Sequence, residues 1–275
     1  MKTNEIDPFF KEYTAQDAVL KYSKATAGYG ISYLLEHDYK DVYIDALGRL
    51  PVSVQKEGLR VLEFGCGAGM NLLHLVGMLE GRGIPVGTAV GSDFSPVLIE
   101  TATRESKNYT SPEQQKKIKF CVAKNETLLD DLSAGLGKSK AELKGAFDFI
   151  IGVNTIRYAH RAGKENECAR DVFELLSPGG VCVAIDMNDR CLIFRTALRD
   201  RMKKSKGEYY KPSLERYTLP FAQAGFEILR SEHFCWIPHS SGKAMCGFLH
   251  AITPILDGIA KSRAMRSLVV ARKPS

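Results

Sequence analysis

Val61-Leu62-Glu63-Phe64-Gly65-Cys66-Gly67-Ala68-Gly69, followed by Met70-Asn71-Leu72-Leu73, decides how this chain is read. Leu59 to Phe64 is a short apolar run that ends in glycines, which suits a buried parallel strand. Glycines let the chain turn sharply from strand to helix and let a ligand approach the backbone with no Cβ in the way. Met70 to Leu79 follows with helical spacing, and its first turn offers free N–H groups to polar or anionic parts of a ligand. A GxGxG turn does not by itself choose among nucleotide-binding proteins. A dehydrogenase uses a similar turn, and tight packing alone would also explain one.

Downstream the rhythm repeats. Strands are predicted at Pro85 to Ser92, Ile118 to Val122, Phe147 to Val153 and Val181 to Asp186, and helices at Pro96 to Ser106 and Glu167 to Leu176. Such alternation is the pattern of an α/β fold with a doubly wound, mostly parallel sheet. Leu214 to Ala224 reads as a further helix, and Phe226 to Glu232 and Ser267 to Arg272 as closing strands. Upstream, residues 1–57 read as helices. Apolar residues recur at helical spacing in Asp17 to Tyr22, Tyr29 to Leu35 and Val42 to Leu50, where Pro51 ends the pattern. The segment holds Tyr13, Tyr22, Tyr29, Tyr33, Tyr39 and Tyr43, most of which should pack on the core while one or two face a ligand.

The 275 residues are 44% hydrophobic and 25% charged, which excludes whole-chain disorder. No apolar run reaches the roughly 18 to 20 residues that cross a bilayer, so no membrane partner is expected. The N-terminus, MKTNEIDPFFKEY, lacks the apolar core of a secretory signal. Seven scattered cysteines form no CxxC pair and no Cys/His cluster at zinc spacing. No metal is expected, and the cysteines suit a reducing, cytoplasmic compartment. The net charge of +6 permits an anionic substrate or a nucleic acid but demands neither.

Three features narrow the glycine turn. Glu63 lies two residues before the first glycine, where a carboxylate could bind an ammonium. Asp93, in GSDFSP after the second strand, could accept both hydroxyls of a ribose. Leu175-Leu176-Ser177-Pro178-Gly179-Gly180-Val181 makes a helix stop and turn before a strand. The third glycine of the dehydrogenase fingerprint GxGxxG is absent. Over roughly residues 59–187 the chain resembles the class I S-adenosylmethionine-dependent methyltransferases, and more loosely over the last strands.

That resemblance implies a seven-stranded Rossmann-like core at 58–275, S-adenosyl-L-methionine as cofactor and S-adenosyl-L-homocysteine as product. Glu63, Gly65, Cys66, Gly67, Gly69 and Asn71 would surround the methionine part. Asp93 would hold the ribose and Phe94 would pack on the adenine. The family's acid after the third strand is missing from Cys121-Val122-Ala123-Lys124-Asn125-Glu126, and Asn125 is its expected substitute. Asn154 would stand near the sulfonium, with a cap for the next helix as the lesser alternative.

Ligands of open α/β sheets bind at the carboxyl ends of the parallel strands. Three segments exceed a minimal core and are expected to cap that edge: residues 1–57, 187–217 and 235–266. The last contains Trp236, Pro238, His239 and an amphipathic helix from Ala244 to Ile259. A cap of that size suits a small-molecule acceptor, methylated on N, O or C and shielded from water. Catalytic candidates are Tyr158, His160, Asp186 and His239, with His233 beside them. A histidine could take a proton from a hydroxyl or amine, yet any single one is more readily a hydrogen-bonded structural residue, and transfer can proceed without a base. Arg195, Arg199, Arg201, Lys203, Lys204 and Lys206 form either a solvated face or a docking surface for a phosphate, a carboxylate or RNA. No aromatic-basic alternation for stacking bases is present, so RNA methylation is the alternative reading and non-catalytic cofactor binding a third. A monomer or homodimer is expected.

Overall fold

The computed structural model describes residues 28–191 and 212–275. Tyr13, Tyr22, the Asp17 to Tyr22 helix and the basic cluster at 195–206 lie outside the described residues.

Seven strands form one sheet in the order β3-β2-β1-β4-β5-β7-β6. They are β1 (Leu59–Phe64), β2 (Val86–Asp93), β3 (Ile118–Val122), β4 (Phe147–Val153), β5 (Leu176–Met187), β6 (Glu227–Phe234) and β7 (Arg266–Arg272). The first five are mutually parallel, and β7 runs antiparallel between β5 and β6. Strand order reverses between β1 and β4, and ligands of doubly wound sheets bind at such a crevice.

The helices are α1 (Tyr29–Glu36), α2 (Asp38–Leu47), α3 (Val52–Glu57), α4 (Met70–Gly81), α5 (Pro96–Tyr109) and α6 (Pro112–Lys117). Then come α7 (Leu128–Leu136), α8 (Lys140–Leu143), α9 (Ile156–Ala162), α10 (Glu165–Leu175), α11 (Leu214–Gln223) and α12 (Lys243–Ala260). Central strands such as Phe-Asp-Phe-Ile-Ile-Gly-Val are buried on both faces, because helices cover both. On one face Leu128, Leu132, Val172, Leu175, Tyr217 and Phe221 of α7, α10 and α11 pack on Leu62, Phe64 and Ile150. On the other, Tyr39, Tyr43 and Leu47 of α2 and Leu72, Leu75 and Leu79 of α4 pack on Val61, Phe149 and Val183. The guanidinium of Arg60 donates to both carboxylate oxygens of Asp148, at 2.9 and 2.6 Å, and ties β1 to β4.

The N-terminal segment departs from its expected form. The helix predicted over Val42 to Leu50 runs instead from Asp38 to Leu47, with Asp38 and Asp41 in its positively polarised first turn. It buries Tyr39, Val42, Tyr43, Ala46 and Leu47, so it forms part of the core layer. Among the described residues of this segment, α1 and Tyr39 of α2 line the cavity described below. A third cluster, Leu34, Cys235, Ile237 and Cys246, joins α1 to the end of β6 and to α12. The LSPGG turn is absorbed into β5. Leu176 pairs with Phe147 and Val181 with Phe149, and the residues between break the pairing, with Gly179 at φ +75°. Several short helices carry little apolar periodicity, but Ser111 with Gln114 and Ser139 with Glu142 form capping boxes that start α6 and α8. Among the described residues no helix is long and apolar enough to cross a membrane, and no cluster could hold a metal ion.

Candidate active site

The β1–α4 turn is built as its glycines require. Gly65, Gly67 and Gly69 have φ of +67°, +54° and +81°, a region that side chains strongly disfavour. At Gly65 a Cβ would also lie 2.3 Å from Cγ2 of Thr155, so the turn can approach the start of α9 only without one. Glu63 ends β1 with 2% of its surface exposed. Nδ2 of Asn71 donates to Glu63 Oε1 at 2.8 Å, and the Tyr43 hydroxyl donates to Asn71 Oδ1 at 3.0 Å. The other oxygen, Oε2, is buried without a hydrogen-bond partner. Burial raises this carboxyl to about 8, against the pull of Asn71. A buried acid with a free lone-pair face is the chemistry that an ammonium satisfies.

Asp93 closes β2 on the same edge. Its Oδ2 accepts from the backbone N–H of Gly67 and its Oδ1 from that of Ser95, both at 3.0 Å. Burial raises it to about 6, against those two bonds. Each oxygen keeps lone pairs for further donors, as two hydroxyls would supply. Phe94 follows, half-buried. Cys66 is buried, and its backbone N–H donates to Ser92 O at 2.8 Å. Asn125, in a 3₁₀ turn after β3, is buried and donates from Nδ2 to Thr155 O at 3.2 Å.

Asn154, after β4, has φ +58°, which a non-glycine residue adopts at a cost of roughly 1–3 kcal/mol. Its N–H donates to Ile185 O at 2.7 Å, while Oδ1 is buried without a hydrogen-bond partner. The helix-cap explanation fails here, because α9 begins after Thr155 with no side-chain cap. Glu63, Gly65, Cys66, Asn71 and Asn154 line one side of a cavity of about 90 Å³. Ile31, Leu34 and Leu35 of α1, Tyr39 of α2 and His239 line the other.

A model of the methyltransferase domain matches residues 35–246. The chain belongs to that family. Its structural neighbours agree with the match. An S-adenosylmethionine-dependent methyltransferase from Mesorhizobium loti is 20% identical, over 84% of this chain and 97% of that one, with a TM-score of 0.53. One from Aquifex aeolicus is 16% identical, over 88% and 92%, with a TM-score of 0.52. The methyltransferase in complex with the Haloferax volcanii Trm112 activator is 16% identical, over 92% and 96%, with a TM-score of 0.55. At such identities the likeness shows the fold, while the family assigns the chain to methyl transfer and implies S-adenosylmethionine as donor. The comparison with curated proteins gives no match.

In this methyltransferase the catalytic candidates do not converge. His239 lines the cavity. Asp186 is buried, does not line that cavity, and accepts from the backbone N–H groups of Arg157 at 3.2 Å and Met187 at 2.8 Å. Burial raises its carboxyl, while Arg157 pulls the other way. Tyr158 accepts from the Arg157 guanidinium at 2.9 Å and lies under it, 4.9 Å from ring centre to Cζ. His160 points elsewhere: its Nδ1 is 3.3 Å from Glu165 and its ring is 6.4 Å from that of Tyr217. Burial lowers its pKa, against Glu165. His233 faces Ser267, at 3.3 Å. Tyr29 is 44% exposed against Tyr33, and the Trp236 indole donates to Asp257 at 2.7 Å, so neither reaches the cavity as expected of them. Tyr39 and Tyr43 were expected only as two of six tyrosines of the first segment, and Arg157 and Arg266 were not expected at the site. The tyrosine-rich first segment was the available signal for two of them.

Proposed function

We propose that this methyltransferase moves the methyl group of S-adenosylmethionine to a nucleophilic atom of a small-molecule acceptor. The observation that carries this reading is that residues of the expected cap line the same cavity as the residues expected to hold the cofactor. Ile31, Leu34, Leu35 and His239 share one cavity of about 90 Å³ with Glu63, Asn71 and Asn154, a concave space of the kind that takes a small molecule. When bound, S-adenosylmethionine supplies a methyl carbon on a cationic sulfonium, open to in-line attack.

The chain's own groups do the holding. Glu63 receives the ammonium of the methionine part, and Asn71, fixed by Tyr43, sets the carboxylate's angle. The glycines at 65, 67 and 69 let the backbone lie against the ligand. Asp93 and the Phe94 ring take the ribose and the adenine, with Asn125 at the adenine's far edge. Asn154 offers its free Oδ1 at the methyl end. Residues 28–36 and 235–266 act as the cap that excludes water and aligns the acceptor. His239 is the base in reach of an acceptor proton. Burial lowers its pKa well, so it is neutral and able to accept.

Calorimetric titration with S-adenosyl-L-homocysteine, followed by titration of the saturated protein with a mixed RNA pool at two salt concentrations, tests the reading. Saturable cofactor binding with weak RNA affinity is expected. Nanomolar RNA binding that falls steeply with salt would replace the small-molecule acceptor by RNA.

A further inference from the structure

Arg266 opens β7 and is 1% exposed, among the largest fully buried side chains in the molecule. It stands opposite Met187 of β5 and Phe234 of β6, at the sheet edge where the cavity lies. Its Nε donates to the Tyr39 hydroxyl at 3.2 Å, and an Nη contacts the sulfur of Met187. A phenol and a thioether are neutral. Among the described residues Arg266 makes no ion pair within 4.0 Å with any carboxylate, whereas arginine is almost never fully buried unpaired.

The nearest acids are engaged by other groups. Asp186 is engaged by Arg157, with Arg157 Nε 3.7 Å from its Oδ1 and the Arg157 and Met187 N–H groups on its oxygens. Asp38, the other acid nearby, accepts from the Cys235 thiol, and burial raises its carboxyl above the usual range. Both guanidinium groups act on the neutral imidazole of His239, which lines the cavity with Tyr39. Arg266 is thus a buried guanidinium with no carboxylate in ion-pair range, bonded to Tyr39, whose ring lines the proposed acceptor pocket. The planar fork of arginine matches a carboxylate or phosphate.

We infer that the acceptor bears an oxyanion, a carboxylate or a phosphate, and that Arg266, with Arg157 beside it, holds that group at the β5–β7 edge, next to His239. This inference rests on the methyl-transfer reading above. It fixes an acceptor by its anionic end, so that its nucleophilic atom points toward Asn154 and the methyl.

The test uses the whole protein saturated with S-adenosyl-L-homocysteine, with histidine rings isotope-labelled for NMR. Acetate and inorganic phosphate are titrated in at constant ionic strength, with acetamide as the neutral control. One of the anions should shift the His239 ring saturably and acetamide should not. Arg266→Met should weaken the response about tenfold or more, the loss expected when one charged hydrogen-bonding partner goes. Arg266→Lys should restore part of it. Affinity for S-adenosyl-L-homocysteine should change by less than about threefold in both variants. No saturable shift with either anion in the unaltered protein overturns the inference, and this arm stands even if a variant fails to fold. A tenfold fall in S-adenosyl-L-homocysteine affinity would give the guanidinium to the cofactor's own carboxylate and also overturn it. Failure of the unaltered protein to bind S-adenosyl-L-homocysteine at all would instead remove the reading underneath.

Discussion

Glu63 combines a free oxygen, near-complete burial and a carboxyl raised to about 8 by that burial. The folded value lies above the ordinary 4.5, so its neutral form stabilises the free protein fully below pH 4.5. That contribution is lost as pH rises through about 8. An ammonium binds the ionised form, so cofactor binding at neutral pH should release close to one proton. Affinity should climb by up to about tenfold per unit below that value and level off above it. Calorimetry of S-adenosyl-L-homocysteine binding in two buffers of different ionisation heat reads the proton. Glu63→Gln should abolish the release and weaken binding, and a proton count unaffected by that change would place the ammonium elsewhere. Asp93 behaves differently from a simple ribose ligand, because it also ties Gly67 to Ser95. Asp93→Ala should therefore cost about 1–3 kcal/mol of stability as well as about 1.5–3 kcal/mol of cofactor affinity. Asp93→Asn should recover part of the stability. Melting curves and titration of both variants separate the two effects.

At the scale of elements, the contact of α1 with the segment after β6 is close enough to depend on one missing methyl group. A Cβ on Gly30 would lie 2.7 Å from the carbonyl oxygen of His239 and 2.8 Å from that of Pro238. These are backbone atoms, so the helix or the segment must move. Gly30→Ala should lower stability by about 1–3 kcal/mol despite alanine's better helix propensity, because overpacking outweighs the propensity gain. It should also loosen His239 and reduce turnover more than cofactor affinity. A raised melting temperature with normal turnover would show that this contact is not a working part of the cap.

For the molecule as a whole, α12 is a loosely attached piece among the described elements. It buries only Cys246 while Met245, Phe248, Ile255 and Ile259 are 51–77% exposed. Its contacts run through α1, by way of Leu34 and Cys246, to the roof of the cavity. Replacing residues 243–260 by a short flexible link should leave S-adenosyl-L-homocysteine affinity within about tenfold. Turnover should fall on the order of a hundredfold, the usual cost of losing alignment by an ångström. Affinity lost in parallel with turnover would show that the cap and the cofactor site are one unit.

The chain's own residues determined the sheet, because strand-length apolar runs alternating with amphipathic helices admit few other arrangements. They also determined the glycine turn, since φ near +60° at three positions needs glycine, and the placement of Glu63 and Asp93 at strand ends, since strand register fixes those positions. What the sequence could not disclose depends on distance through space. Tyr43 reaches Asn71 across 28 residues, and Arg266 reaches Tyr39 across 227. No local pattern records such pairings. His160 and His239 look alike as isolated histidines, and only packing turns one toward Glu165 and the other into the cavity. The same holds for Arg266. As the first residue of a strand after a long connection it reads as a surface cation, and it becomes a buried guanidinium with no carboxylate in ion-pair range because β5, β6 and α2 close around it.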